Sequence, residues 1–424
     1  MFELGANTLL LILLACLFFL FIFALMFSFA QFIPHFLLAT YFLLPLVYNL
    51  TGTAPLPLTT VFVLLFGPVA LWHSDKRLLA SFVVFFIYIV TVILTSMMND
   101  VSMIEHRTAF IPLIIAFVCI ISLSGYSAEN ILPSFTKIII YWIILNSIFS
   151  ILQLAFGNSF YLISTTGKAA MVLGVERGYG LIGMATQVGV TFCLGVPLIA
   201  SLLLSKRRKI LLSILFFLSL AGLVSSFSRG AILGTYVALV FLLLFHKKYK
   251  LIFLSIMMGL VCYGAYSVVM AFLPENYSHF FQGKDGSATA RLPFTLMAFK
   301  MFLDRPLAGF GFGGFAEYCV KYGSQIHIEA HNTYAQVLVE FGIFGFILFI
   351  FVIATALKGY LSYLKQGKSS LLKVQASGYL AALIAILFDA LVHCFEWNLI
   401  FWIPVLLGYL MGHLQRSEGR AIQV

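Results

Sequence analysis

The stretch that decides the architecture runs from residue 206 to residue 250. It reads Lys206-Arg207-Arg208-Lys209, then ILLSILFFLSLAGLVSSFSRGAILGTYVALVFLLLF over 210–245, then HKKYK over 246–250. One charged residue, Arg229, interrupts the apolar run. The run is too long for one membrane helix and long enough for two, roughly 210–226 and 230–245, folded back on each other. The basic clusters at both ends belong on the cytoplasmic side. The turn Ser225-Ser226-Phe227-Ser228-Arg229-Gly230 is therefore expected on the opposite face.

Working outward from that hairpin, apolar runs of spanning length recur along all 424 residues. Hydrophobic residues make up 62% of the chain and charged ones only 9%, against about 25% charged in a soluble domain. So few charges cannot cover a surface in water. The expected fold class is all-α, a polytopic transmembrane helical bundle. The formal charge of +10 comes in short clusters between the runs: Lys76-Arg77, Lys206 to Lys209, Lys247-Lys248-Lys250, Lys358 to Lys373, and Arg416 with Arg420. Membrane topology explains that pattern better than nucleic-acid binding does.

Alternation of sides places spans near 78–97, 108–125, 138–156, 181–205 and 251–273, and one from 333 to 357. A last hairpin after Lys373 puts His393 through Asn398 outside. Runs at 8–29, 34–50 and 59–73 bring the expected count to about 12–13 spans. The first exceeds a signal-peptide core and lacks a basic flank, so it reads as a retained span despite Ser28-Phe29-Ala30. Three parts result: a transmembrane part over 1–274, an outer loop over 275–331, and C-terminal helices with a short cytoplasmic tail over 332–424. Cys16, Cys119, Cys193 and Cys262 sit in apolar runs as small core residues. Cys319 and Cys394 fall on the outer side, with no pairing implied.

The 275–331 loop is the one long polar stretch. It holds its own helical pattern: Ser287 or Thr289 as a cap, Pro293 in the first turn, and Leu292, Leu296, Phe299 and Leu303 along one face. Asp304-Arg305-Pro306 ends it. Such a helix lies on the outer membrane surface or lids a cavity. Gly309-Phe310-Gly311-Phe312-Gly313-Gly314 follows without a preceding strand, so it predicts a tight turn packed on the bundle, not a nucleotide loop. Next comes His331-Asn332-Thr333-Tyr334-Ala335-Gln336. Asn332 or Thr333 can cap the following span, Thr333 with Gln336 forms a capping-box pattern, and His331 sits at the helix mouth.

The outer face thus collects Arg177, Arg229, Arg291 and His331 from four places in the chain. Ionisable groups at span ends are candidates for function in so charge-poor a protein. Converging arginines form an anion clamp for a diphosphate, and a histidine beside it suits a general base. Each has a plainer reading: Arg229 snorkels, Arg291 neutralises Asp285, Arg177 pairs with Glu176, and His331 bonds a backbone carbonyl. His327 and His331, four apart around Glu329, would share a metal only on a helix, and no third ligand is evident. Asp100, Glu105, His106 and Arg107 read as a solvated loop. No Asp-x-Asp pair supports a metal-bound sugar nucleotide.

Four stretches together resemble the O-antigen ligase and Wzy-type polysaccharide polymerase superfamily. They are Arg177-Gly178-Tyr179-Gly180-Leu181-Ile182-Gly183, Ser226-Phe227-Ser228-Arg229-Gly230-Ala231, Arg291 through Phe315, and His331-Asn332-Thr333-Tyr334 through Gly345. Phe294 stands where many relatives carry a tryptophan. The resemblance implies a GT-C-like glycosyltransferase of the bacterial inner membrane, working at its periplasmic face without metal, nucleotide or other cofactor. The implied donor is a glycan on undecaprenyl diphosphate, and the acceptor is a lipid-linked glycan or lipid A–core. In that scheme His331 takes the proton of the acceptor hydroxyl, and Arg229, Arg291 and Arg177 bind the diphosphate. A chain-length-regulating copolymerase is a further implied partner. Polymerase and ligase share these motifs; the run into Leu338-Val339-Glu340-Phe341-Gly342 favours polymerase slightly. A transporter of lipid-linked sugars is the reading from another class, and it predicts ionisable groups along a mid-membrane path.

Overall fold

The computed structural model describes residues 75–99, 107–124, 128–157, 171–172, 175–182, 184–205, 209–253, 257, 287–395 and 398–420. The spans expected at 8–29, 34–50 and 59–73, and nearly all of 251–273, lie outside these residues, as do Asp100, Glu105, His106 and Asp285. The described helices are α1 (Lys76–Ser81), α2 (Val83–Met98), α3 (Arg107–Ser124), α4 (Ala128–Phe156), α5 (Ala185–Leu204), α6 (Lys209–Ser225) and α7 (Arg229–Phe245), followed by α8 (Ser287–Asp304), α9 (Gly314–Tyr318), α10 (Thr333–Gln366), α11 (Ser370–Asp389) and α12 (Leu399–Arg420). A two-residue antiparallel pair, β1 (Met171–Val172) with β2 (Val175–Glu176), precedes Arg177. The chain is an all-α polytopic membrane protein. Four described stretches, Leu132–Phe156, α5, α10 and α11, are long and apolar enough to cross a membrane, and α2, α6 and α7 are shorter apolar helices. The hairpin read from 206–250 forms as α6 and α7.

α10 packs along α12, and α11 packs against α5 and α7. Aromatic rings fill the seam between α2, α10 and α12: Phe349 stacks on Phe401 at 5.8 Å, and Phe85 meets Trp402 edge-on at 5.6 Å. Such pairs contribute about 0.5–1.5 kcal/mol each beyond their area.

α10 is broken at Gly342, whose φ of 64° and ψ of −169° suit only glycine. The break frees backbone groups that a lipid environment cannot satisfy. The glycine-rich loop supplies the partners. Phe310 N donates to Val339 O at 3.0 Å, Gly311 N to Glu340 O at 2.8 Å, and Ile343 N to Pro306 O at 2.8 Å. A Cβ on Gly342 would stand 2.2 Å from Leu307 O, so the close approach itself requires glycine. The expected packing of this loop on the bundle therefore has a specific form: it plugs a broken span. Phe312 N donating to Ser96 Oγ at 3.0 Å and Arg305 bonded to Asn99 tie the same loop to the end of α2.

Two local expectations are corrected. α8 starts at Ser287, a turn earlier than its pattern suggested, so Pro293 lies inside the helix and Arg291 sits in the second turn. Gln336 does not complete a capping box with Thr333. Asn332 is the N-cap of α10, and Gln336 Oε1 instead accepts from Ala330 N at 3.1 Å. The stripe Leu292, Leu296, Phe299 and Leu303 is the outward face of α8, each residue more than half exposed, while Ala298 and Met301 are buried. That is how a helix resting on a lipid surface is patterned.

Candidate functional site

His331 occupies the residue before the α10 N-cap, with φ of 52°. A left-handed conformation is uncommon for a residue with a side chain and persists where neighbours enforce it. Here they do. Asn332 Oδ1 accepts from Ala335 N at 3.0 Å, and Ala330 N is held by Gln336. Thr333 N donates to Ala390 O and His393 O, and Thr333 Oγ1 donates to His393 O at 2.8 Å. The half-buried His331 ring lies 6.0 Å from the Phe294 ring, on the residue three after Arg291 in α8.

Arg177 reaches the α6–α7 turn. Its Nε donates to Ser226 O at 2.9 Å, and Gly178 N donates to Ser225 O at 2.9 Å. Two buried amides of α4 hold the segment that follows it. Gln153 Oε1 accepts from Tyr179 N and Gly180 N, and Asn146 Oδ1 accepts from Leu181 N. The Ser226-Phe227-Ser228-Arg229 motif and the Arg177-Gly178-Tyr179-Gly180 motif are thus one hydrogen-bonded unit.

The third component was not singled out from the sequence. Asp389, fully buried at the end of α11, accepts from His393 Nδ1 at 2.7 Å. With that proton on Nδ1, His393 Nε2 is an acceptor, and Arg291 Nη2 lies 3.4 Å from it. Asp389 Oδ2 is buried without a hydrogen bond. Gly230, next to Arg229 in the first turn of α7, lies against this pair: a Cβ there would stand 2.2 Å from Asp389 Oδ1. The carboxylate thus faces the N-terminus of α7, whose dipole favours negative charge, although it stands at the C-terminal end of its own helix. Asp389 and His393 therefore join α7, α8 and α11.

Electrostatics completes the picture. Burial first, then the charge of Arg291, hold the His331 imidazole below its ordinary pKa of 6.5, and His393 adds to the effect when it is protonated. Burial lowers that of Arg177 too, opposed by Tyr179 and reinforced by Arg229 and Arg291. Of the four residues singled out by sequence, Arg291 acts on both His331 and Arg177, and Arg229 acts on Arg177. The result is a group of cations with an imidazole of lowered proton affinity, chemistry suited to binding an anion while accepting a proton.

The other candidates fall elsewhere. His327 Nδ1 meets Ala316 O at 2.8 Å, and 327–331 is not helical, so His327 and His331 do not share a helix face. Cys319 and Cys394 are not joined in a disulfide; Cys394 Sγ donates to Gln336 Oε1. Asp389 and His393 left one signal in the sequence: an acid ending an apolar run, four residues before a histidine.

Compared with known proteins, residues 214–350 match the family model described as O-antigen ligase. The matched segment contains Arg229, Arg291 and His331, and it supports the superfamily resemblance carried by the motifs. No curated protein matches the chain.

Proposed function

We propose, from the O-antigen ligase match over 214–350 as premise, that this chain is a bacterial inner-membrane glycosyltransferase acting at the periplasmic face. It moves a glycan from an undecaprenyl-diphosphate-linked donor to an acceptor sugar hydroxyl, without a metal, and acts as a Wzy-type polysaccharide polymerase. The reading is supported by Arg291, whose charge acts on both His331 and Arg177, and by the Phe294–His331 ring contact at 6.0 Å that brings α8 to the mouth of α10.

In the reaction, Arg229, Arg291 and Arg177 bind the diphosphate and offset the charge that develops on it as the anomeric C–O bond breaks. His331, neutral because its proton affinity is depressed, takes the acceptor hydroxyl proton as that oxygen attacks. Asp389 fixes the His393 tautomer, and His393 steers the Arg291 fork. The exposed apolar stripe of α8 lies against the leaflet in which the donor's lipid is dissolved. A copolymerase that sets chain length would complete the system.

The description of the matched family favours a second reading, a ligase that delivers the glycan to lipid A–core. A deletion strain separates the two. Core carrying a single repeat is expected for the polymerase; bare core, with polymer stranded on the carrier lipid, would establish the ligase. Purified protein given labelled lipid-linked donor should form new glycosidic bonds. Movement of donor across a bilayer without bond formation would instead establish the transporter.

A further inference from the structure

A second site lies at the other end of α10. A pocket of about 270 Å³ opens between α1, α10 and α12, lined among others by Ser81, Thr355, Lys358, Ser362, Gln415 and Arg416. Among the described residues its lining includes two cations and no carboxylate. Arg416 lines it, with Nε donating to Gly412 O at 3.1 Å. The nearby acid Asp75 is engaged elsewhere, at 3.2 Å from His413 Nε2 and as the cap of α1. The pocket exists because α10 and α12 cross on glycines: a Cβ on Gly359 would stand 2.0 Å from Gly408 O, so no side chain fills the angle below the crossing.

The face of α10 that enters this pocket continues toward His331 in helical steps. Phe344, Ile347 and Phe351 precede Thr355, Lys358 and Ser362 at spacings of three and four residues. The first three are exposed, at 59%, 47% and 58%. One helix face is thus apolar over its membrane-embedded length and then cationic and hydroxylic at its end. Water alone does not call for that sequence of surfaces, but an amphiphile lying along the helix does.

We propose that this pocket binds the phosphodiester headgroup of an anionic phospholipid, with acyl chains lying along Phe344, Ile347 and Phe351. Lys358 and Arg416 supply the charge that the phosphate needs. The site is at the end of the bundle marked by basic residues as cytoplasmic, more than twenty residues along α10 from His331, roughly 35 Å at helical rise. It does not depend on the transferase reading.

The test is native mass spectrometry of the full chain in detergent, titrated separately with phosphatidylglycerol, cardiolipin, phosphatidylethanolamine and inorganic phosphate. Anionic lipids should bind and phosphatidylethanolamine should bind far more weakly. K358A/R416A should weaken anionic-lipid binding roughly thirtyfold, about fivefold per cation. F351S keeps both cations and should weaken lipid while leaving any binding of inorganic phosphate unchanged. Unchanged lipid occupancy in a monodisperse K358A/R416A protein would overturn the site. So would inorganic phosphate that competes with phosphatidylglycerol at equal concentration, because it would assign the pocket to a free anion.

Discussion

α7 and α10 begin with the same backbone recipe and use it for different ends. Each is preceded by a non-glycine residue in the left-handed region, Phe227 at φ 50° and His331 at φ 52°. Each then has an extended N-cap, Ser228 or Asn332, before its first helical residue. At α10 the N-cap side chain closes the helix, and the strained position carries the imidazole. At α7 the serine makes no side-chain cap bond, the strained position carries an apolar ring, and the cation is the first helical residue. The Asp389 carboxylate from α11 stands against that turn instead. Local geometry therefore sets where a side chain is aimed, and the residue placed there sets whether the mouth offers a base or a charge.

The largest expected effect breaks this pairing directly. His331→Ala should lower transfer from a lipid-linked donor by about 10²–10⁴-fold while the protein still inserts. Phe227→Ala, the matching position at α7, should retain most activity. Equal losses would show that the two mouths share a structural role only. Arg291→Ala should cost about 10²–10³-fold, and Arg291→Lys should recover part of it, since it keeps charge but loses the planar fork.

Stability measurements sharpen the contrast further. Gly230→Ala drives a methyl into Asp389 and should destabilise by about 1–3 kcal/mol, read as a lower Tm. Asn332→Ala should cost about 1 kcal/mol and Ser228→Ala almost nothing, because only the first removes a cap. The smallest effect concerns pH. A depressed His331 pKa keeps the ring neutral to lower pH, so the acid limb of the rate profile should fall below 6.5. Arg291→Gln removes a neighbouring positive charge and should move that limb upward in its residual activity.

Much of this was legible because charges are scarce. In a chain that is 9% charged, Arg177, Arg229 and Arg291 stand out against apolar runs, and basic clusters fix their side of the membrane. The α6–α7 hairpin followed from length alone. Asp389 and His393 were obscured because their importance depends on α11 meeting Gly230 of α7 and Arg291 of α8, which are contacts between distant segments. The start of α8 was misjudged because Pro293 is a common first-turn residue, yet it is accommodated one turn further in. The capping pattern at Thr333 misled because Gln336 turns back to Ala330, a choice made by the loop before the helix.

The broken span has a mechanical consequence. Lifting residues 306–311 away would strand the carbonyls of Val339 and Glu340 in hydrocarbon, at several kcal/mol for each group. The glycine-rich loop is therefore riveted to the broken helix behind it. On the proposed reading, any play that admits a bulky glycan with that rivet closed belongs to the α8 segment on the Arg291 side of Pro306.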